Sequence, residues 1–177
     1  SMGIEQGRVE AIDFDVAIFT NLTHDHLDYH GTMERYFQAK KKLFDSLKED
    51  AIAVTNMDDP HGMAIVEDTA AKVVTYGTKE GADYQIVNYQ LLKDRTRITL
   101  KISNMLYEIE TNLVAKFNIY NLVAAIAALH SSGVSIEQML PTIKSLHQIE
   151  GRMERIDEGQ PFNIIVDFGH TPDGIEQ

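Results

Sequence analysis

Apolar and polar positions follow two different rhythms in the first half of the chain. Short runs rich in Val, Ile, Ala, Phe and Thr are typical of buried strands. Three such runs occur, at residues 14–21, 51–56 and 72–77. Residues 32–47 instead repeat apolar positions at intervals of three and four, which predicts an amphipathic helix with Thr32 as its N-cap. A shorter helix is expected near residues 60–67.

Strand-like runs follow one another without intervening helices in the middle of the chain, at residues 84–93, 96–103 and 106–113. Short polar turns join them, which predicts an antiparallel meander. Helical spacing returns at residues 118–131, where Gly133 is expected to end the helix. Ser135 then opens a second helix that contains Pro141 near its start. A final apolar run at residues 163–168 predicts another strand.

Together these elements predict an α/β fold, with a mostly parallel sheet flanked by helices and a small antiparallel sheet. Residues 148–161 are richer in Gly, Glu and Pro than the segments around them, which favours a domain boundary near 157–161. We therefore expect one domain over residues 1–157. Residues 158–177 would form a linker and the first strand of a second domain.

Composition narrows the class of protein. With 177 residues, of which 44% are hydrophobic, the chain can bury a sizeable core. Its formal net charge of −11 argues against a nucleic-acid or anionic-membrane partner. The absence of cysteine excludes disulfides and thiolate metal sites. No apolar run approaches the roughly 20 residues of a membrane span. We expect a cytoplasmic monomer that acts on small molecules.

Histidine and aspartate are concentrated just after the first predicted strand, in a cluster formed by His24, Asp25, His26, Asp28 and His30. Ligand sites in α/β sheets form at the carboxyl ends of strands. A solvated polar loop is the plain alternative. A zinc hydrolase is a second alternative, because His24, His26 and Asp28 match part of an HxHxDH metal signature, although Tyr29 occupies its last position.

Lys40 is expected on the apolar face of the predicted helix, because it follows Tyr36 by four residues and Phe37 by three. A lysine at such a position usually extends its ammonium to the surface, and the adjacent Lys41 and Lys42 indicate a generally basic face. Burial would instead lower the pKa of Lys40 and leave a nucleophilic amine. Such an amine can take up carbon dioxide as a carbamate, whose oxygens suit Mg²⁺. The spacing leaves both interpretations open.

The run TNLTHDHLDYHGTMERYFQAKKKLF, residues 20–44, closely resembles the Mur ligase family, and within it the tripeptide synthetases. In that family a TNL-x-x-DHLDYHG run precedes a helix bearing Y-x-x-AK. Further stretches follow in the family's order: GIEQGRV at 3–9, TNMDD at 55–59, FNIYN at 117–121, GRME at 151–154 and VDFGHTPD at 166–173. The chain departs from the family at Ala115, usually glycine, and at Phe168-Gly169, usually a Tyr-Ala pair.

The resemblance implies roles for individual residues. Its Mg²⁺-binding histidine corresponds to His26 and its carbamylated lysine to Lys40, while Gln6 and Arg8 match residues that contact the UDP-MurNAc-dipeptide. The residues that match its ATP site are Asn118 and Asn121 against the adenine, Asp167 on the ribose, and Arg152 and His170 near the phosphates. Without the resemblance, Asn118 would be interpreted as a helix N-cap.

The resemblance also implies a reaction. Residues 1–157 correspond to the central ATPase-type domain of a ligase that extends UDP-MurNAc-L-Ala-D-Glu by L-lysine or meso-diaminopimelate in peptidoglycan synthesis. ATP would phosphorylate the glutamate carboxylate, and the incoming amine would attack the acyl phosphate. Mg²⁺ would neutralise the charge of the phosphoryl group. A sister ligase, such as folylpolyglutamate or cyanophycin synthetase, is the alternative.

No GxxGK[ST] phosphate loop occurs in the 177 residues. In the family that loop lies ahead of the segment matching Gly3, and its backbone N–H groups and lysine hold the β- and γ-phosphates. We therefore expect the 177-residue chain alone to be inactive when supplied with ATP, the UDP-MurNAc-dipeptide and either amino acid. A coupled assay of ADP release tests this, and turnover above a protein-free blank would contradict it.

Overall fold

The computed structural model describes residues 1–146, 149–156, 158–162 and 164–169. Its largest element is a six-stranded sheet in chain order: β1 (Val16–Phe19), β2 (Ile52–Asn56), β3 (Lys72–Gly77), β4 (Tyr84–Leu91), β5 (Thr96–Ile102) and β6 (Met105–Thr111). Strands β1 to β4 pair in parallel, and β4 to β6 pair antiparallel. The meander therefore continues the parallel sheet through a short β3–β4 pairing at Tyr76 and Gly77.

Helices flank this sheet: α1 (Met2–Glu5), α2 (Leu27–His30), α3 (Met33–Asp45), α4 (Lys116–Ser131) and α5 (Ile136–Ser145). A separate antiparallel ribbon consists of β7 (Glu154–Ile156) and β8 (Ile164–Val166). The predicted α/β architecture is confirmed. The boundary near residues 157–161 stays a prediction. None of the helices in the described part combines the length and the apolar character that crossing a membrane requires.

Two hydrophobic cores lie on opposite faces of the sheet. Successive residues of β2 belong to different cores, because side chains alternate across a strand. Ala53 belongs to the core that contains Phe37 and Phe44 of α3. Val54 belongs to the larger core, which contains Val123 of α4 and the inner faces of β4 to β6. The sheet is thus buried on both sides near β2, which explains the continuous apolar run at residues 51–56.

The helix boundaries follow the predicted signals. The Thr32 hydroxyl caps α3 by accepting a backbone N–H of the first turn at 3.2 Å. Ser135 and Gln138 form a reciprocal capping box at the start of α5. Gly133 follows α4 with a φ of +99°, which glycine adopts readily. Pro141 lies further from the start of α5 than expected. Its side chain is exposed, and the helix continues past it to Ser145.

The predicted helix at residues 60–67 is wrong in extent, because only Ala64–Val66 forms a 3₁₀ turn. The chain first folds back tightly after β2. The Thr55 hydroxyl donates to the Gly62 carbonyl at 2.5 Å, and a Cβ on Gly62 would lie 1.8 Å from the Asn56 carbonyl oxygen. The residues between Asn56 and Gly62 are held in this tight turn, so they cannot form the first turn of a longer helix.

Ala115 has a backbone conformation that glycine normally supplies. It precedes α4 with φ +76° and ψ +148°. This region is almost restricted to glycine and costs other residues about 1–3 kcal/mol. It is also the position at which the sequence departs from the glycine of the family it resembles.

We expect Ala115→Gly to raise the free energy of unfolding by about 1 kcal/mol, because relief of strain exceeds the entropy that glycine adds to the unfolded chain. Urea denaturation measures the change. Ala125→Gly, at an exposed position inside α4, is the matched control and should lower the same quantity by about 1 kcal/mol. Destabilisation by both variants would refute the strain assigned to Ala115.

Candidate functional site

A cleft of about 520 Å³ opens at the carboxyl ends of β1 and β2. Its walls come from the residues after these two strands and from the start of α4: Thr20, Asn21, Asn56, Asp58, Asp59, Pro60, Lys116, Phe117, Tyr120 and Asn121. A cavity of this volume suits a nucleoside-sized ligand. Its position is the one at which α/β sheets bind ligands.

Polar side chains after β2 join the ends of the first two strands. Asn56 donates through Nδ2 to the Thr20 carbonyl at 2.8 Å. Asp59 accepts the Leu22 N–H at 3.0 Å and the His61 N–H at 2.7 Å. These bonds satisfy backbone groups that the strand ends leave unpaired. The TNMDD stretch therefore shapes the cleft.

Asp58 links the end of β2 to β3 and α4. Its carboxylate accepts the Thr78 N–H at 2.6 Å, the Thr78 hydroxyl at 2.8 Å, the Lys79 N–H at 3.1 Å and the Tyr120 hydroxyl at 2.8 Å. Burial alone would raise the pKa of Asp58, but these bonds outweigh it and the pKa lies below its usual value. Burial, together with the Asp58 carboxylate, raises the pKa of Tyr120 to about 12. Asp58 is therefore a fixed anion in the cleft wall.

The two asparagines of α4 have different surroundings. Asn121 is exposed and lines the cleft. Asn118 is buried, and its Nδ2 donates to the Val114 carbonyl at 2.6 Å. The N-cap of α4 is Ala115, so the N-cap alternative for Asn118 is wrong. The structure thus brings Asn121 to the cleft surface and uses Asn118 to brace the turn that enters α4.

Lys40 packs against an aromatic ring. It is partly buried, and its Nζ lies 5.0 Å from the ring centroid of Tyr36, one turn earlier on α3. This is a cation–π distance. Burial lowers the pKa of Lys40, and the charge of Asp25 opposes that shift only in part. The inward direction predicted from helical spacing is confirmed.

The interpretation of Lys41 as part of a solvated basic face is wrong. Its side chain is 9% exposed, and its Nζ forms ion pairs with Asp45 at 2.6 Å and Asp68 at 2.7 Å. Lys42 pairs with Glu5 at 2.9 Å. Lys40 differs from both, because no carboxylate of the described residues lies within ion-pair distance of its ammonium. Of the three consecutive lysines, Lys40 is the one whose amine is held by a ring.

His26 is held in a strained conformation by Asp25. Its φ of +54° is in the left-handed region, which is sparsely populated for residues other than glycine. Asp25 Oδ1 accepts the His26 N–H at 2.8 Å, and Oδ2 lies 3.3 Å from the imidazole Nε2. The ring centroids of His26 and Tyr36 are 6.3 Å apart, edge to face. The His26 side chain is 41% exposed and therefore accessible to a ligand.

The other two histidines of the cluster do not converge on His26. His24 is exposed. His30 is buried, its imidazole stacks on Tyr36 at 5.1 Å, and its Nε2 lies 2.9 Å from the Ser1 hydroxyl. Within the described ranges, no three His, Asp or Glu side chains are grouped so that they could hold a metal ion. The zinc-hydrolase alternative lacks its ligand set there.

The predicted substrate contacts lie on the surface of the N-terminal segment. Gln6 is exposed and donates through Nε2 to the Tyr29 hydroxyl at 3.1 Å. The Arg8 guanidinium is exposed, while its backbone N–H donates to the Gly3 carbonyl at 2.8 Å. Because α1 packs on α3, both residues belong to the same side of the molecule as the histidine cluster.

Arg152 and Asp167 lie together at the β7–β8 ribbon. The Asp167 carboxylate accepts two backbone N–H groups, at 2.8 and 2.6 Å, and the Arg152 guanidinium lies 5.3 Å from the Phe168 ring centroid. Both residues are exposed, and neither lines the cleft of the described residues. His170 lies outside the described residues.

Sequence reasoning missed three members of the site. The sequence shows Asp25 only as a member of the histidine–aspartate cluster, Tyr36 as a position on the apolar face of the helix, and Asp58 as part of the TNMDD stretch. Tyr36 had a usable signal, since an aromatic residue four positions before a lysine can lie under its ammonium. Asp58 had none, because its partner Tyr120 is 62 residues away in the chain.

Comparison with known proteins shows the relationship of the chain. Residues 1–129 match the Mur ligase middle domain. The chain is 43% identical over 179 residues to the UDP-N-acetylmuramoyl-L-alanyl-D-glutamate–2,6-diaminopimelate ligase of Halalkalibacterium halodurans, covering 99% of this chain and 37% of that protein. It is 39% identical over 181 residues to the UDP-N-acetylmuramoyl-L-alanyl-D-glutamate–L-lysine ligase of Staphylococcus haemolyticus, covering 100% and 37%. The chain thus spans little more than a third of these relatives.

Solved structures agree with the sequence relatives. A UDP-N-acetylmuramoyl-L-alanyl-D-glutamate–2,6-diaminopimelate ligase structure superposes with a TM-score of 0.82 at 34% identity, covering 98% of this chain and 36% of that one. MurF ligase from Thermotoga maritima, solved in complex with ADP, superposes with a TM-score of 0.83 at 23% identity, covering 96% and 39%. The second likeness shows a shared fold.

We expect Asp58→Asn to lower the free energy of unfolding by about 1–2 kcal/mol at pH 7, because an amide accepts these hydrogen bonds less strongly than a carboxylate. The pKa of Asp58 is lower in the folded than in the unfolded chain. Its stabilisation is therefore complete above about pH 4 and is lost as pH falls through the folded pKa.

Urea denaturation between pH 7 and pH 3 measures this difference. Asp28→Asn, which changes an exposed carboxylate near the site, is the control and should have little effect throughout. If the deficit of Asp58→Asn were as large at pH 3 as at pH 7, the carboxylate charge would not be its cause.

Proposed function

The chain belongs to the Mur ligase family, and from that premise we propose that it is the central part of an ATP-dependent peptide ligase. The ligase would add a diamino acid, L-lysine or meso-diaminopimelate, to UDP-MurNAc-L-Ala-D-Glu in peptidoglycan synthesis. One observation carries the proposal: the segment that follows β1 contributes to two features. Thr20 and Asn21 line the nucleoside-sized cleft, and His26, a few residues further along, contacts the same Tyr36 ring as Lys40. Phosphoryl transfer needs a nucleotide and a charge-stabilising group at one place.

The cleft would hold the nucleoside of ATP. Asn21 and Asn121 carry amides that can both donate to and accept from a purine edge, and Phe117 offers an aromatic surface. Lys116 in the same wall and the exposed Arg152 carry positive charge for the phosphates. Asp167 would contact the ribose, and His170 would lie near the phosphates.

Lys40 would act as a carbamate. Its amine attacks carbon dioxide, a nitrogen–carbon bond forms, and the amine proton passes to solvent. The product is an anion with two oxygens. Two features of Lys40 support this role: burial makes its amine easier to deprotonate, and its contact is a ring rather than a carboxylate that would keep it charged.

His26 and the Lys40 carbamate would hold Mg²⁺. The exposed imidazole of His26 supplies one donor, whereas Mg²⁺ prefers oxygen ligands and keeps several waters. Lys40 would contribute carbamate oxygens, the ligand type that Mg²⁺ prefers. Without them, the described histidines and carboxylates form no group of three that could hold a metal ion. Bound Mg²⁺ would supply positive charge to the phosphoryl group in transit.

Gln6 and Arg8 would hold the UDP-MurNAc-dipeptide, since an exposed amide and guanidinium suit its phosphates and carboxylates. The glutamate carboxylate is a poor electrophile until it is phosphorylated. The diamino acid's amine would then attack the acyl carbon, and phosphate would leave. Water-soluble substrates of this kind suit a cytoplasmic enzyme, and we propose that it acts as a monomer.

We expect Lys40→Ala, in a protein that contains this chain and has the length of its relatives, to lower kcat by about 100-fold or more, because the charge that holds the metal is lost. Phosphate release dependent on UDP-MurNAc-dipeptide and diamino acid is the measurement. In parallel, intact mass in bicarbonate buffer should show a labile gain of one carbon dioxide that is absent from the variant.

Lys42→Ala is the matched control, because Lys42 is an exposed neighbour on the same helix whose ammonium pairs with Glu5. It should retain both the activity and the mass gain. Full activity of Lys40→Ala would exclude a catalytic role for the carbamate. The proposed function itself would be overturned if the unmodified protein ligated neither L-lysine nor meso-diaminopimelate.

A further inference from the structure

One aromatic ring contacts three side chains of the candidate site. Tyr36 lies under the Lys40 ammonium at 5.0 Å and stacks on the His30 imidazole at 5.1 Å with an interplanar angle of 25°. Its ring centroid also lies 6.3 Å from that of His26, in an edge-to-face arrangement at 88°. The proposed metal ligand and the proposed carbamate thus share one contact.

The ring is itself immobilised. Tyr36 is 6% exposed and belongs to the core between α3 and the sheet, together with Phe37 and Phe44. Its backbone lies in the second turn of α3, which Thr32 caps. A side chain held by packing on this scale samples few rotamers. Lys40, by contrast, has a flexible four-carbon stem that needs an external guide.

We propose that Tyr36 is a positioning residue, whose ring sets the place of the Lys40 amine relative to His26. The inference rests on the proposed function for its consequence in catalysis, but the positioning is a property of this chain alone. Ring faces attract an ammonium, and aromatic rings pair favourably in stacked or edge-to-face arrangements. The hydroxyl is not part of these contacts, so phenylalanine should replace Tyr36 and an aliphatic residue should not.

Phe37 provides the comparison that separates positioning from simple core packing. It follows Tyr36 in the chain, is 9% exposed and belongs to the same core. Its ring contacts His61 at 5.5 Å and is not the ring beneath Lys40. Replacing either aromatic side chain by a smaller one leaves a cavity in the same core. Only the replacement of Tyr36 removes the ring that contacts the Lys40 ammonium.

The positioning is tested by NMR on the 177-residue chain after reductive ¹³C-dimethylation of its lysines, which preserves their charge. Lys40→Arg assigns the Lys40 methyl signal. We expect this signal to be shifted upfield by the ring current in the unmodified chain, in Tyr36→Phe and in Phe37→Leu. It should move to the position of an exposed lysine in Tyr36→Leu. Tyr36→Met, which also lacks a ring, replaces Tyr36→Leu if that variant does not fold.

The catalytic consequence is tested in the protein of full length. Tyr36→Leu should lower kcat by about 10- to 100-fold, as a misplaced group does, with the KM for ATP changed by no more than about twofold. Tyr36→Phe should restore kcat.

A Lys40 methyl signal that does not move in Tyr36→Leu would overturn the positioning, whatever the activity. So would an unchanged kcat in Tyr36→Leu when Lys40→Ala is inactive. If the NMR result is as expected and the protein has no ligase activity, the proposed function fails and the positioning stands.

Discussion

The hydrogen bonds that tie the strand ends together are the constraint on which the rest of the structure depends. Asp58 joins β2 to the residues after β3 and to Tyr120 of α4, and Asp59 joins it to Leu22 after β1. A parallel sheet leaves backbone groups unpaired where its strands end, and burying them unbonded would be costly. Asp58 and Asp59 accept hydrogen bonds from these backbone groups, and the cleft lies between the segments that they connect.

The same bonds decide the electrostatics of the cleft. The chain carries a net charge of −11, which would oppose an anionic ligand if its carboxylates faced the cavity freely. Asp58 accepts four hydrogen bonds and Asp59 is almost buried with its own donors. Lys116 stands in the same wall. The cleft carboxylates stay ionised but point their oxygens at donors of the fold, and the Lys116 ammonium adds a positive charge to the same wall.

Helix α3 connects this framework to the histidine cluster. Its buried face carries Tyr36, Phe37 and Phe44 into the core beside β1 and β2, and the buried Lys41 fastens it to Asp68 after the 3₁₀ turn. The Tyr36 ring, fixed in this way, holds Lys40 on one side and meets His26 at its end of α2. The Lys40 ammonium thus lies against a ring that core packing holds in place, and no carboxylate of the described part of the chain pairs with it.

Sequence alone determined the features that depend on neighbours in the chain. Helical period placed Lys40 inward, side-chain caps placed the starts of α3 and α5, and alternation between apolar runs and amphipathic segments determined the α/β class. Each of these features depends on residues a few positions apart, because the local backbone geometry fixes which way their side chains point and which neighbours they contact.

Only the tertiary structure decided which distant groups meet. The burial of Lys41 required Asp68, 27 residues away, and the role of Asp58 required Tyr120, 62 residues away. The helix expected at 60–67 is reduced to a short 3₁₀ turn, because Gly62 packs against the backbone carbonyl of Asn56. Such contacts arise from chain topology, and no periodicity records them. For that reason the sequence singled out Lys40 and His26 as candidate site residues, whereas the Tyr36 ring that contacts both became apparent only in the fold.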